Sequence, residues 1–277
     1  MSTKKVIGGS FGAIVVLLVA QIVALLLSNL LVFIKIPQGI CNIIAGGLYL
    51  GLAVLLLKLL VEKLLKMKIE DVGMSKFSIK TRWILAAVLL PVAVKAVYLL
   101  FFSGEYVSSG MDGSQIFSAL SRGIAFTGIA AGFVEEMVFR GVIFHLIKAR
   151  WNVKVAVLVP SLLFGVLHII GMNFSIISFL LVIVAGTMVG IMFSMIVVES
   201  GSVWNSGIVH ALWNVVISGG GLAISQSVDE YSVMTYVLRT KSLVFTGGEF
   251  GIDASIISLL GYFMVVLVAV IMIKKKE

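Results

Sequence analysis

Eight predominantly apolar runs follow one another along the chain, and no other feature limits its fold so tightly. They are Ile7–Ile34, Ile40–Val61, Trp83–Phe102, Gly123–Ile147, Val155–Ile170, Phe174–Val198, Val203–Ser218 and Ile252–Ile273. A helix crosses the hydrocarbon of a bilayer with about 20 apolar residues. Most of the runs reach that length; the fifth and seventh fall short, at about 16 residues each. With 60% of residues hydrophobic and 12% charged, no soluble fold of this size has enough interior for the apolar surface. Only three prolines interrupt it. Long unbroken runs suit helices, which satisfy every backbone group within the segment. The short alternating strands of a membrane barrel are not seen. The sequence therefore predicts an all-α integral membrane protein, a polytopic bundle of about eight transmembrane helices forming one domain over residues 1–277.

The net charge of +8 follows from topology. If the N-terminus is cytoplasmic, fifteen of the 21 basic residues fall on inner segments: Lys4 and Lys5, Lys58 to Arg82, Lys148 to Lys154, and Lys274 to Lys276. The outer loops hold Lys35, Arg239 and Lys241. Such a bias orients membrane proteins and predicts that both termini are cytoplasmic. It also removes the reason to read the basic charge as a nucleic-acid surface. The N-terminal MSTKK precedes a run too long for a signal peptide, so it reads as an uncleaved first helix. The Lys58–Arg82 linker is expected on anionic head groups. Residues 219–255 are expected as an outer, irregular, partly inserted segment. Trp83, Trp151 and Trp204 read as an interfacial belt, Lys95 as a snorkelling side chain, and Glu199 as a solvated helix end. Cys41 is alone, which excludes internal disulfides and cysteine metal clusters.

Ionisable residues inside membrane spans are costly and mark functional sites. The fourth run carries Glu135, Glu136 and Arg140; the fifth carries His168; the seventh carries His210 and Asn214. Glu136 and Arg140 are spaced i, i+4 and can pair. Glu135 points about 100° away, free to face a cavity. Phe164 and His168 share the same spacing, as do His210 and Asn214. Counted along ideal helices, Glu135 and His168 both lie ~20 Å from their nearest cytoplasmic basic residue, and His210 and Asn214 lie ~12–18 Å from Ser202. Groups at one level on three helices suggest one site. A carboxylate and an imidazole flanking a water can activate it against a carbonyl. A second imidazole and a carboxamide can stabilise the oxyanion. No serine or cysteine is placed as an evident nucleophile. Zinc held by Glu135, His168 and His210 is the alternative, although HExxH is absent. A transporter, which also buries charge at mid-membrane, and a non-catalytic membrane regulator are the rival classes.

Three motifs, in order, resemble those of the CPBP family, the CAAX proteases and bacteriocin-processing enzymes also known as Abi or type II CAAX prenyl endopeptidases. EExxxR is Glu135 to Arg140, followed by Gly141. FxxxH is Phe164 to His168, and HxxxN is His210 to Asn214. The resemblance is clearest from Gly132 to Ser218 and implies a peptidase core at about residues 115–220. It implies an intramembrane endopeptidase acting on a membrane-associated or lipidated peptide, with the bilayer as its other partner. Glu135 and His168 would activate water, His210 and Asn214 would form the oxyanion hole, and Glu136, Arg140 and Phe164 would support them. No cofactor is implied, zinc remaining the alternative. Bacterial members are linked to bacteriocin maturation, self-immunity and signalling-peptide processing. The short loops and compact length here point to a bacterial cell membrane.

Overall fold

The computed structural model describes residues 1–173 and 175–276. Its main helices are α1 (Thr3–Ile34), α2 (Gln38–Leu64), α3 (Thr81–Phe101), α4 (Gly113–Arg150), α5 (Val153–Leu167), α6 (Ile176–Ser200), α7 (Val203–Ser218) and α8 (Ile256–Lys274). Six of them, all but α5 and α7, are long and apolar enough to cross a membrane. The two short runs of the sequence are thus the two short helices. Phe174, where the sixth run begins, lies outside the described residues. Side-chain caps at Ser2, Asp112, Asn152, Ser175, Ser202 and Ser255 accept from the first free N–H groups of α1, α4, α5, α6, α7 and α8, fixing where each helix begins.

The hydrogen bonding of α4 changes along its length. Arg122–Ala131 and Met137–Ile143 are π-helical, and the turn between them, Gly132–Glu136, is α-helical. Wide π turns recur at functional sites. Depths counted at the α-helical rise therefore do not carry across the Arg140 turn, whereas the ~100° step from Glu135 to Glu136 is kept.

The helices alternate between two ends. At one, Arg150 Nε donates to Thr3 Oγ1 (3.3 Å) and Trp204 Nε1 to Ser75 O (2.7 Å). Here Glu199 gathers Arg82 (2.5 Å) and Lys276 (2.6 Å). All the basic segments assigned to one side by charge bias meet at this basic end. At the opposite end, β1 (Gly104–Ser108), β2 (Leu222–Ser225) and β3 (Met234–Leu238) form a sheet of order β1-β3-β2. The β1 strand is antiparallel to β3, with Gly104 opposite Leu238, and β2 is parallel to it.

Several expectations are corrected. Residues 219–255 are not wholly irregular, because β3 pairs with β1 on one side and with β2 on the other. Glu199 is not solvated: its side chain is fully buried, bonded by Arg82, Lys276 and Trp83 Nε1 (2.9 Å). Trp83 is 1% exposed and so does not belong to an interfacial belt. Lys95 does not snorkel; its Nζ donates to Leu222 O (2.5 Å), tying α3 to the start of β2. The Lys58–Arg82 linker buries Val72 and Met74 against the bundle, and Lys80 N donates to Asn205 Oδ1 (2.8 Å).

The interior has two main apolar clusters. One joins α1, α2 and α4 through Tyr49, Leu57, Val134 and Phe144, and includes Phe164 of α5. The other joins α3, α6, α7 and α8 through Trp83, Tyr98, Phe193, Trp213 and Tyr262. Outward-facing Phe11, Leu26, Leu89, Leu180 and Met264 are exposed, as lipid contact requires. Where the two clusters meet, glycine brings helices close. A Cβ on Gly186 would lie 2.6 Å from Gly165 Cα, so α5 and α6 touch backbone to backbone, the packing small residues permit in membranes.

Candidate active site

One cavity of about 340 Å³ opens along this seam. Glu135, His168, His210 and Asn214 all line it, with Phe164 and Phe193 behind them. The three helices that the sequence singled out therefore bring their polar groups to one place.

The two adjacent glutamates have different surroundings. Glu136 is fully buried; its Oε1 accepts from Arg140 Nη1 at 2.9 Å and lies 3.1 Å from His210 Nδ1. Glu135 is about one-fifth exposed, its Oε2 lying 3.8 Å from His210 Nε2. One carboxylate is thus locked in structure, and its neighbour faces the cavity with a free edge.

Hydrogen bonds orient the imidazoles. His168 ends α5, and its Nδ1 lies 2.7 Å from Phe164 O. A carbonyl only accepts, so Nδ1 carries the proton and Nε2 of the neutral ring is an acceptor. Asn214 Nδ2 donates to Thr127 O (3.1 Å), which fixes the amide orientation and leaves its second N–H unspent. His145, in no motif, gives its Nδ1–H to Gly141 O (2.8 Å) and Arg140 O (3.0 Å) and ties a turn of α4.

Aromatic rings hold these groups in place. The Phe164 ring sits 4.3 Å from the His168 ring and 4.6 Å from Arg140 Cζ. The Phe193 ring stacks on His210 at 4.6 Å and 18°, and lies 5.2 Å from Arg140 Cζ. Arg140 Nε and Nη2 have no hydrogen-bond partner among the described residues; the guanidinium is enclosed by rings instead, and such contacts grow stronger away from water. Gly190 makes the room, since a Cβ there would lie 3.0 Å from Arg140 Nη2.

Three residues of the site were not read from the sequence. Phe193 lies in a run without polar landmarks. Trp213 packs against Tyr262, as a buried indole should, and also donates from Nε1 to Asp253 Oδ1 (2.7 Å). Asp253 lines the cavity from the loop before α8, and Tyr262 Oη donates to its backbone carbonyl (3.1 Å). Burial pushes the Asp253 carboxyl above its ordinary range, opposed by the Trp213 hydrogen bond. An acid at the head of an apolar run, just after the Gly-rich stretch Gly247–Gly251, is the signal that could have found it. On the same loop, the Phe250 ring lies 5.8 Å from the His168 ring.

Among the described residues, no group of three or more His, Cys, Asp and Glu side chains is arranged to hold a metal ion. Of the hydroxyls on the cavity wall, those of Thr127, Ser218 and Tyr262, none is hydrogen-bonded to His168 or His210 among the described residues.

The distance from Glu135 to His210 depends on one close approach. A Cβ on Gly132 would lie 2.7 Å from Ala211 Cα and 2.8 Å from Ala211 N. Gly132→Ala must therefore push α4 from α7, at a cost of ~1–3 kcal/mol for overpacking. The expected outcome is a lower melting temperature in detergent together with reduced activity. Unchanged melting would show that the helices slide without strain.

Residues 117–216 match the family model described as Type II CAAX prenyl endopeptidase Rce1-like. The matched segment contains all three motifs and ends before the loop that carries Phe250 and Asp253. No curated protein matches the chain.

Proposed function

We propose that this protein, whose residues 117–216 match the Rce1-like family model, is an intramembrane peptidase that hydrolyses a peptide bond of a membrane-associated or lipidated substrate with a water activated by Glu135 and His168. The observation that carries this reading is the convergence of Glu135, His168, His210 and Asn214, from three helices, on one cavity.

The chemistry follows from the hydrogen bonds. A water held between the free edge of Glu135 and Nε2 of His168 gives a proton to Glu135 as its oxygen attacks the substrate carbonyl, and that proton passes to the leaving amine as the C–N bond breaks. The oxyanion then needs donors already in place. Asn214 has its second N–H to offer. His210 gives its Nδ1–H to Glu136, so it donates from Nε2 only as the imidazolium. Arg140 in turn fixes Glu136 and so the plane of the ring. The ligand arrangement and the unengaged hydroxyls favour activated water over zinc or a serine nucleophile.

The test is cleavage of a quenched peptide panel, a farnesylated peptide included, by purified full-length protein in detergent. The expected result is cleavage that resists a chelator and is lost in His168→Ala. Chelator-sensitive cleavage would replace this mechanism with a metal one. Cleavage of no peptide would favour a non-catalytic membrane protein.

A further inference from the structure

The position of the cavity between the two ends of the bundle bears on which substrates reach it. Below Glu135, toward the basic end, packing is closed: Glu136, Arg140, Ser161 and Ser194 are fully buried. Toward the sheet end the cavity continues. A second cavity, of about 370 Å³, shares Thr127 and Ser218 with the first, and is bordered by the exposed residues Gln115, Arg122, Glu230 and Tyr231. The shortness of α5 and α7 creates this opening. Both start at the basic end, and both stop at the cavity, with His168 and Ser218 at their last turns. Loops rather than lipid-spanning helices roof the site there.

Charge identifies the two ends. Segments at the basic end hold fifteen of the 21 Lys and Arg residues. At the sheet end, Lys95 is committed to Leu222 O, which leaves Lys35, Arg122, Arg239 and Lys241. Short loops rich in Lys and Arg stay in the cytoplasm. We propose that the site is served from the side of the membrane away from the cytoplasm, so that its substrate is an exported or membrane-inserted peptide with the scissile segment on the outer face. The chain enters past Arg122 and Tyr231, whose guanidinium and ring face each other at 5.5 Å. A lipidated tail held in the cytoplasm would meet the closed end. This inference rests on the peptidase reading for the word substrate, but not for the sidedness of the cavity.

Cysteine labelling in intact cells separates the two. Cys41 is 1% exposed and is replaced by Ala; single cysteines are then placed at Tyr231→Cys and at Lys76→Cys, both exposed positions at opposite ends. In bacterial cells expressing the full chain, a membrane-impermeant maleimide is expected to label Tyr231→Cys and to label Lys76→Cys only after lysis. The reverse pattern overturns the inference, whatever the protein cleaves. In parallel, an impermeant quenched peptide that detergent-solubilised protein cleaves is added to intact cells expressing wild type or Glu135→Gln. Cleavage outside wild-type cells alone supports the outer route. Outer labelling with cleavage only after lysis overturns that route. Outer labelling with no peptide cleaved even in detergent overturns the peptidase reading and leaves the sidedness supported.

Discussion

Glu135→Gln is expected to lower kcat by ~10²–10⁴-fold, the range that a positioned general base contributes, while the folded protein melts as wild type does. The side chain explains both halves of the result. Among the described residues Glu135 makes no side-chain hydrogen bond, only a 3.8 Å approach to His210, and it is partly open to the cavity, so an amide of the same shape costs the fold little. The amide cannot take a proton from water. KM should move far less than kcat, because the lost interaction exists in the transition state and not in substrate binding. His168→Ala should lose a comparable factor but also some stability, since the Phe164 ring loses its 4.3 Å neighbour. Initial rates and melting in one detergent check both variants. A Glu135→Gln protein turning over at the wild-type rate would remove Glu135 from the mechanism and leave His168 as the base to be tested.

What the sequence made legible was local. Apolar runs gave the helices, because hydrocarbon demands that each backbone group be satisfied within its own segment. Spacing gave the Glu136–Arg140 pair and the contact of Phe164 with His168, because neighbours at i, i+4 meet on any helix. Features made by distant residues were not legible. Trp83 and Glu199 look like interfacial and solvated residues in their own runs; only the approach of α3, α6 and Lys276 buries them together. The sheet joins β1 to β3 across more than 100 residues, as Gly104 and Leu238 show, and strands of four or five residues are too short to stand out. The π turns of α4 change hydrogen-bond partners without changing the apolar pattern. Asp253 depends on Trp213, 40 positions away, and no local rule brings them together.

Removing either member of the Glu136–Arg140 pair is expected to be the most destabilising single change in the site. Both side chains are fully buried, bonded at 2.9 Å, and lie among Phe139, Phe164 and Phe193. Breaking a buried pair from one side leaves an uncompensated charge, at a cost of ~3–5 kcal/mol. Arg140→Met would leave Glu136 beside Glu135 with His210 as its remaining partner. Glu136→Gln would remove the counter-charge of the guanidinium and leave only a weaker amide acceptor for His210 Nδ1. Each variant should therefore lose activity as well, through a reoriented His210. The double variant Glu136→Gln/Arg140→Met buries no unpaired charge. Its loss should be smaller than the sum of the single losses by ~0.5–3 kcal/mol, the coupling expected of residues in one network. Equilibrium unfolding of the four proteins in one detergent measures that coupling. Additive losses would mean that the two charges are held separately, Glu136 by His210 and Arg140 by its rings. In that case Arg140→Met should keep the wild-type rate, because Arg140 would no longer be what orients Glu136 and, through it, His210.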